Sequence, residues 1–475
     1  MSVTAAAPGA ALQTVRDPLA LALDRAAGAR PIEGNRLQHF ADSPRALDAM
    51  LAAIADARRW VHFENYIIRD DATGRRFADA LVERARSGVR VRVLYDALGS
   101  FGTSRRYWRR LAQAGVEVRA FHPLLTRHPL DVFARDHRKL LVTDGSWAMT
   151  GGLCIGNEWA GDPARGRRPW RDTMVAVTGP AAAALDDAFA RIWRRAGAPL
   201  PPDELEADPA ECGSSMARVL SGVPGRARMY RAVQLLAASA TDRLWITDAY
   251  LIAPPPLYAS LLDAARAGVD VRLLVPGTSD LPVLRDSTRI GYRDLLRAGA
   301  RIFEWQGPML HAKTLLVDHR WARVGSSNLN VSSLLGNYEL DLFAECNQLA
   351  AALGQQFLRD LATSREIVLQ ARRRFLPARL VGAPATAPSS VPEQPHKRSR
   401  YELGAVAVVT LRRVAGGLRR AITSTATLVF AGMGGLLLVF PRVMAMVLAA
   451  GAFSLALAFG LYTFERRRTR DADDG

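Results

Sequence analysis

The chain is written twice. Half one reads WVHFENYIIRD from Trp60, then a helical run to Arg86-Ser-Gly-Val, then VRVLYDALG; half two reads RLWITDAYLIAP from Arg243, a helical run to Arg266-Ala-Gly-Val, then VRLLVPGTS. Each half continues with a helix at a tyrosine, Tyr107 or Tyr292, and then reaches a strand carrying one shared motif. Such a repeat demands two copies of one supersecondary unit that bury their apolar faces together. Short β-branched runs alternate with helical periods, which predicts an α/β fold. Its two similar lobes are related by a pseudo-twofold, each a mostly parallel sheet flanked by helices.

The chain has 475 residues, beyond one ordinary core, and its 49% hydrophobic content suffices for two. We expect a flexible arm over 1–30 with one short helix, a first lobe over 31–200 and a second over 201–376. A Pro- and Gly-rich stretch around Arg195–Asp208 links them. An Ala-, Pro- and Ser-rich linker follows at 377–403, and a basic segment at 404–420 suited to a membrane interface.

Residues 421–464 read as a transmembrane helical hairpin, and 465–475 as a basic and polar tail. Ile422–Phe440 and Val443–Phe464 are apolar and uncharged, each near the roughly 20 residues that a span requires. A single helix would strand Arg442 at mid-depth, whereas a turn at Pro441-Arg442 brings it to a surface. Arginines flank both ends, so the positive-inside bias places both flanks, and the body tethered to them, in the cytoplasm.

The shared motif is histidine, one residue, lysine, four residues, aspartate: His137, Lys139 and Asp144, then His311, Lys313 and Asp318. After six more residues come Gly151-Gly152 or Gly325-Ser326, and Trp147 matches Trp321. Residues i and i+2 of a strand share a face, so each histidine projects beside its lysine. Two such strands present two imidazoles and two ammonium groups to one phosphate. One neutral imidazole attacks phosphorus while the other, protonated, supplies the leaving alcohol; the lysines offset the developing charge.

This chemistry requires no metal and no other cofactor. Ser326 and Asn328 add donors to the phosphate, and the motif aspartates Asp144 and Asp318 support the strand–turn. Each histidine needs an acid to fix its tautomer: Glu339 is placed for His311, and Asp172, its match in half one, for His137.

These residues resemble the phospholipase D superfamily, and most of all its bacterial cardiolipin synthases, over roughly Arg30–Phe375. The likeness rests on HRKLLVTDGSWAMTGGLCIGNEW, PWRDTMVAVTGP and HAKTLLVDHRWARVGSSNLNVSSLLGNYELDLFAE. One departure is Cys154, where the family pattern has asparagine; a thiol donates poorly to phosphate. The resemblance implies transfer of a phosphatidyl group from phosphatidylglycerol to a second lipid alcohol through a phosphohistidine, with His137 favoured as nucleophile. Asn157 and Glu158 read either as acceptor-site groups or as surface loop residues. Phe121–Asp136 reads as a lid or lipid-contact loop, or as a plain surface excursion.

Hydrolysis by water uses the same motif residues, so a hydrolytic phospholipase D is the alternative reading. The net charge of +17 suits an anionic partner, lipid or nucleic acid, although an arginine-rich sequence is basic regardless of partner. A nuclease gains little from a membrane hairpin, and a non-catalytic adaptor has no need of two intact motifs. The expected partners are phospholipids and an anionic membrane surface. Oligomeric state is not encoded in any motif. Three unpaired cysteines with no histidine cluster exclude a disulfide framework and a structural zinc site.

Overall fold

The computed structural model describes residues 17–123 and 134–369. The strands of the first lobe are β1 (Ile32–Phe40), β2 (Trp60–Asn65), β3 (Arg90–Asp96), β4 (Glu117–Phe121), β5 (Lys139–Thr143), β6 (Trp147–Gly151) and β7 (Met174–Thr178). Those of the second are β8 (Ser215–Gly222), β9 (Arg243–Thr247), β10 (Asp270–Pro276), β11 (Arg301–Trp305), β12 (Thr314–Val317), β13 (Trp321–Gly325), β14 (Glu339–Glu345) and β15 (Ser364–Ile367).

They form one continuous sheet, ordered β4-β3-β2-β5-β6-β7-β1 and then β8-β14-β13-β12-β9-β10-β11-β15. The order mirrors itself about the β1–β8 seam, apart from β15 at one edge. Asn35 holds that seam. Its Nδ2 donates to Ser215 O across it (3.2 Å) and to Ile32 O (2.8 Å), while its Oδ1 accepts from Ala181 N (2.7 Å).

The expectation of mostly parallel sheets is corrected. Among the described residues, parallel pairing between strands is confined to β2–β3, β3–β4, β9–β10 and β10–β11. All other strand pairs are antiparallel. Isolated parallel bridges outside the strands include Asp136 with Tyr338 and Arg171 with Leu310. The strand–helix alternation covers only the outer three strands of each lobe, where a helix provides the crossover that parallel neighbours require. Each motif strand is joined to the next by a three-residue turn, and so short a connection closes only antiparallel strands. The outer strands therefore end at the edge where the motif strands begin: Asn65 closes β2 opposite Lys139, and Thr247 closes β9 opposite Thr314.

The helices at Pro180–Arg195 and Asn347–Ala362 occupy matching places after β7 and β14, and bury Phe189, Trp193, Leu353 and Phe357 in a core shared by both lobes. The segment before residue 31 is less loose than the sequence suggests. From Asp17, which caps Leu19 N (2.9 Å), a helix runs over Pro18–Ala27; it buries Leu23 and pairs Asp24 with Arg218 (2.6 Å).

No helix among the described residues is long and apolar enough to cross a membrane. The linker, basic segment, hairpin and tail expected over 377–475 lie outside the described residues, as do 124–133 of the expected lid.

Candidate active site

Both motif histidines sit where the lobes meet, just before β5 and β12. A short backbone ladder crosses the lobes at each. His137 N donates to Tyr338 O (2.9 Å) and Tyr338 N to Arg135 O (2.9 Å). In the other copy His311 N donates to Arg171 O (2.7 Å) and Arg171 N to Met309 O (2.9 Å). The residue after each ladder partner is a carboxylate, Glu339 or Asp172.

This corrects the expected pairing, because the carboxylates are exchanged between lobes. His137 Nδ1 lies 3.1 Å from both oxygens of Glu339, and His311 Nδ1 lies 2.7 Å from Asp172 Oδ2. The crossed ladder causes the exchange, by setting each acid beside the histidine of the opposite lobe. With Nδ1 occupied, Nε2 is the atom left for chemistry, and neither Nε2 has a hydrogen-bond partner among the described residues.

The two acids are held differently. Glu339 accepts from the Ser326 hydroxyl (2.5 Å) and from that of Ser333. Asp172 accepts instead from Trp159 Nε1 (3.0 Å) and Thr173 N (2.8 Å). Gly152 stands where Ser326 stands in the other lobe, and a Cβ there would meet Asp172 Oδ1 at 2.2 Å. Glycine and the shorter acid thus go together, as do serine and glutamate. Ser326 accordingly acts on Glu339, which differs from the phosphate contact read from sequence.

Lys139 and Lys313 are fully buried, and each ammonium donates to the carbonyl of its own motif histidine. Tyr66 and Tyr250 pack edge-on against His137 and His311, with ring centroids 4.8 and 6.1 Å away, and lie under the two ammonium groups at 5.1 and 5.9 Å. The sequence reading did not single out these tyrosines, although NYIIRD and DAYLIAP carry them at nearly the same offset. Asp248, also missed, is buried beneath the second copy. It accepts from Tyr250 N (2.9 Å) and Leu329 N (2.8 Å), and burial pushes its pKa up to about 6.

Burial dominates the electrostatics. It draws His311 down to about 4, with help from the Lys313 charge and against the pull of Asp172. His137 is also lowered by burial, against Glu339. Lys313 falls to about 8 as it loses water. Burial would raise Glu339 and Asp172, but their histidine partners and nearby lysines outweigh it and both stay below the usual range.

Asn328 is buried, and its Oδ1 has no hydrogen-bond partner among the described residues. A half-turn of the amide presents the NH2 donor there instead. Cys154, at the matching place, is buried within the field of both lysines, and burial raises its thiol.

Asp144 and Asp318 lie at the far ends of their strands, about 16 Å of extended chain from the lysines. Both adopt left-handed backbone, φ 55° and 52°. Asp144 accepts from the backbone N–H groups of Arg58, Arg59 and Trp60, and Asp318 from those of Thr241, Asp242 and Arg243. They clamp the starts of β2 and β9 and do not reach the reacting centre.

Asn157 accepts from Thr73, and Glu158 pairs with Arg69 (3.2 Å), so both tie a loop to its neighbouring elements. The described residues hold no cluster of three His, Cys, Asp or Glu side chains suited to a metal.

Two buried His–Lys pairs, joined by exchanged carboxylates across a pseudo-twofold, define an enzyme of the phospholipase D type. The family model described as "Cardiolipin synthase, PLD-like domain" matches residues 50–193 and 234–361. Cardiolipin synthase A of Pseudomonas aeruginosa is 35% identical over 348 residues, covering 72% of this chain and 70% of the relative. Cardiolipin synthase 2 of Bacillus anthracis is 35% identical over 344 residues, covering 70% and 66%. The crystal structure of phosphatidylserine synthase from Haemophilus influenzae Rd KW20 shares the fold. Its TM-score is 0.58 at 13% identity, over 74% of this chain and 92% of that one. The chain belongs to the phospholipase D-like cardiolipin synthase family.

Proposed function

We propose that the protein makes cardiolipin by moving a phosphatidyl group from one phosphatidylglycerol to the headgroup hydroxyl of another lipid alcohol. The observation that carries the reading is the crossed pair of Nδ1–carboxylate contacts, which leaves two Nε2 atoms beside two buried ammonium groups.

In the first step His137 Nε2 attacks phosphorus. The P–O bond to glycerol breaks, and the protonated His311 supplies the proton that glycerol takes away. Both rings are neutral in the empty site at pH 7, so the ring that donates must be raised when an anionic phosphate arrives. In the second step His311 removes the proton of the acceptor hydroxyl, whose oxygen attacks phosphorus. The P–N bond breaks and His137 is restored. Two phosphatidylglycerols become one cardiolipin and one glycerol. Lys139, Lys313 and Asn328 hold the equatorial oxygens, while Glu339 and Asp172 fix the tautomers.

The catalytic body works on the cytoplasmic face of the inner membrane, anchored by the hairpin over 421–464. Anchoring raises the effective concentration of lipid at the site.

Purified full-length protein given headgroup-labelled phosphatidylglycerol will release glycerol and form cardiolipin in equal amounts. Phosphatidic acid without cardiolipin would instead assign hydrolysis. A reporter fused after Gly475 will be active on the cytoplasmic side, and a periplasmic signal would sink the orientation.

A further inference from the structure

Scattered apolar exposure needs no explanation, but its placement beside a catalytic cleft does. Phe101 is 73% exposed and Leu98 44%, on the turn after β3; Leu281 is 47% exposed after β10, and Val331 47% after the second motif. These turns leave the edge at which the parallel strands end and the histidines sit.

Each turn is tied to one of the two tyrosines that flank the histidines. Ser100 Oγ donates to Tyr66 O (3.1 Å), and Gly99 passes so close that a Cβ would meet Tyr66 O at 2.3 Å. Tyr250 OH donates to Asp280 Oδ1 (2.7 Å), beside Leu281, and Asn330 Nδ2 donates to Tyr250 O (3.1 Å), beside Val331. The same arrangement therefore occurs in both lobes.

Charge identifies the partner. Arg105 and Arg106 are exposed in the first turn of the helix Arg105–Gln113, which contains no acid. Cations at a helix N-terminus oppose its dipole, so helix stability does not account for Arg105, while Arg106 also lies in the field of Asp70. Exposed apolar tips beside exposed guanidinium groups match a lipid bilayer with anionic headgroups, where the side chains enter the acyl boundary and the arginines meet phosphate.

We propose that Leu98, Phe101, Leu281 and Val331 form a rim that inserts into an anionic bilayer and seats the cleft on it, with Arg105 and Arg106 on the headgroups. This rests on the reading of the substrate as a membrane lipid. Full-length protein is assayed on phosphatidylcholine vesicles doped with phosphatidylglycerol, and on short-chain phosphatidylglycerol below its micelle concentration. The F101S/L281S variant should lose about tenfold in kcat/KM on vesicles, as expected for two lost interfacial side chains, and nothing on the monomeric lipid.

Equal losses on both substrates, or none on vesicles, would overturn the rim. An arm independent of turnover uses the Phe101→Trp variant, whose added emission should be quenched by brominated phosphatidylglycerol in vesicles. Absence of quenching overturns the rim even where lipid is turned over. Quenching without any lipid turnover would keep the rim and reject the proposed reaction. A change from dimer to monomer in F101S/L281S would assign this face to a second copy and reject the bilayer.

Discussion

Burial lowers His311 and Lys313, two residues apart, and His137 as well, which brings one consequence at each end of the pH scale. Lys313 titrates near 8, so kcat/KM should fall as pH rises through 8 and the ammonium is lost. His311 titrates near 4 in the free enzyme but serves as the acid, so the acid limb belongs to the attacking ring, His137, which burial also lowers. Accordingly kcat/KM should fall only at pH below the usual histidine range, as His137 is protonated. A Lys313→Arg variant that retains turnover should lose the alkaline limb, because a guanidinium stays charged far above 8. A pH profile in which the limb stays put would show that another group sets it. The acids differ in a parallel way. Glu339→Gln should cut kcat by roughly a thousandfold by removing the charge behind His137. Ser326→Ala should cost about tenfold or less, since Ser333 still donates to Glu339.

The motif strand is one device with two ends: chemistry at the histidine, mechanics at the aspartate. Replacing Asp318 by alanine removes the acceptor of three backbone N–H groups at the start of β9 and leaves a non-glycine residue at positive φ. Calorimetry should register a loss of about 2–4 kcal/mol, with activity per folded molecule largely kept at permissive temperature. A second device binds β2 to the helix Pro180–Arg195 and to Glu204. Buried His62 contacts Asp186 (2.5 Å) through Nδ1 and Glu204 (3.2 Å) through Nε2. Burial alone would lower its pKa, but the two carboxylates outweigh that and raise it. A histidine raised on folding adds stability that is complete below its unfolded value, about 6.5, and that fades as pH rises through the folded value. The melting temperature of wild type should therefore lose its advantage over His62→Gln as pH climbs above 6.5. A constant difference across that range would exclude a charged His62.

The shared sheet and shared core make the two lobes one folding unit, and the exchanged carboxylates make them one catalytic unit. His137→Ala and His311→Ala should each abolish transfer. A mixture of the two variants should stay inactive, because each complete site draws both histidines from one chain. Recovered activity on mixing would mean that sites are assembled between chains.

Two motifs at one offset sufficed to locate the histidines, the lysines and the supporting aspartates, because strand period and repeat register are local and survive in the order of residues. Glu339 and Asp172 were legible as the acids but not in their pairing. That pairing depends on Tyr338 and Arg171 forming ladders with the opposite lobe, a contact between segments some 140 to 200 residues apart. The antiparallel inner strands escaped notice because apolar runs do not reveal direction; only the short turns at Asp144 and Asp318 do. Tyr66 and Tyr250 were not singled out, because only folding sets their rings edge-on against the histidines. The repeat thus carried the chemistry of each half, and packing across the pseudo-twofold joined the halves into one site, since a histidine and the acid that orients it meet only when two lobes close on each other.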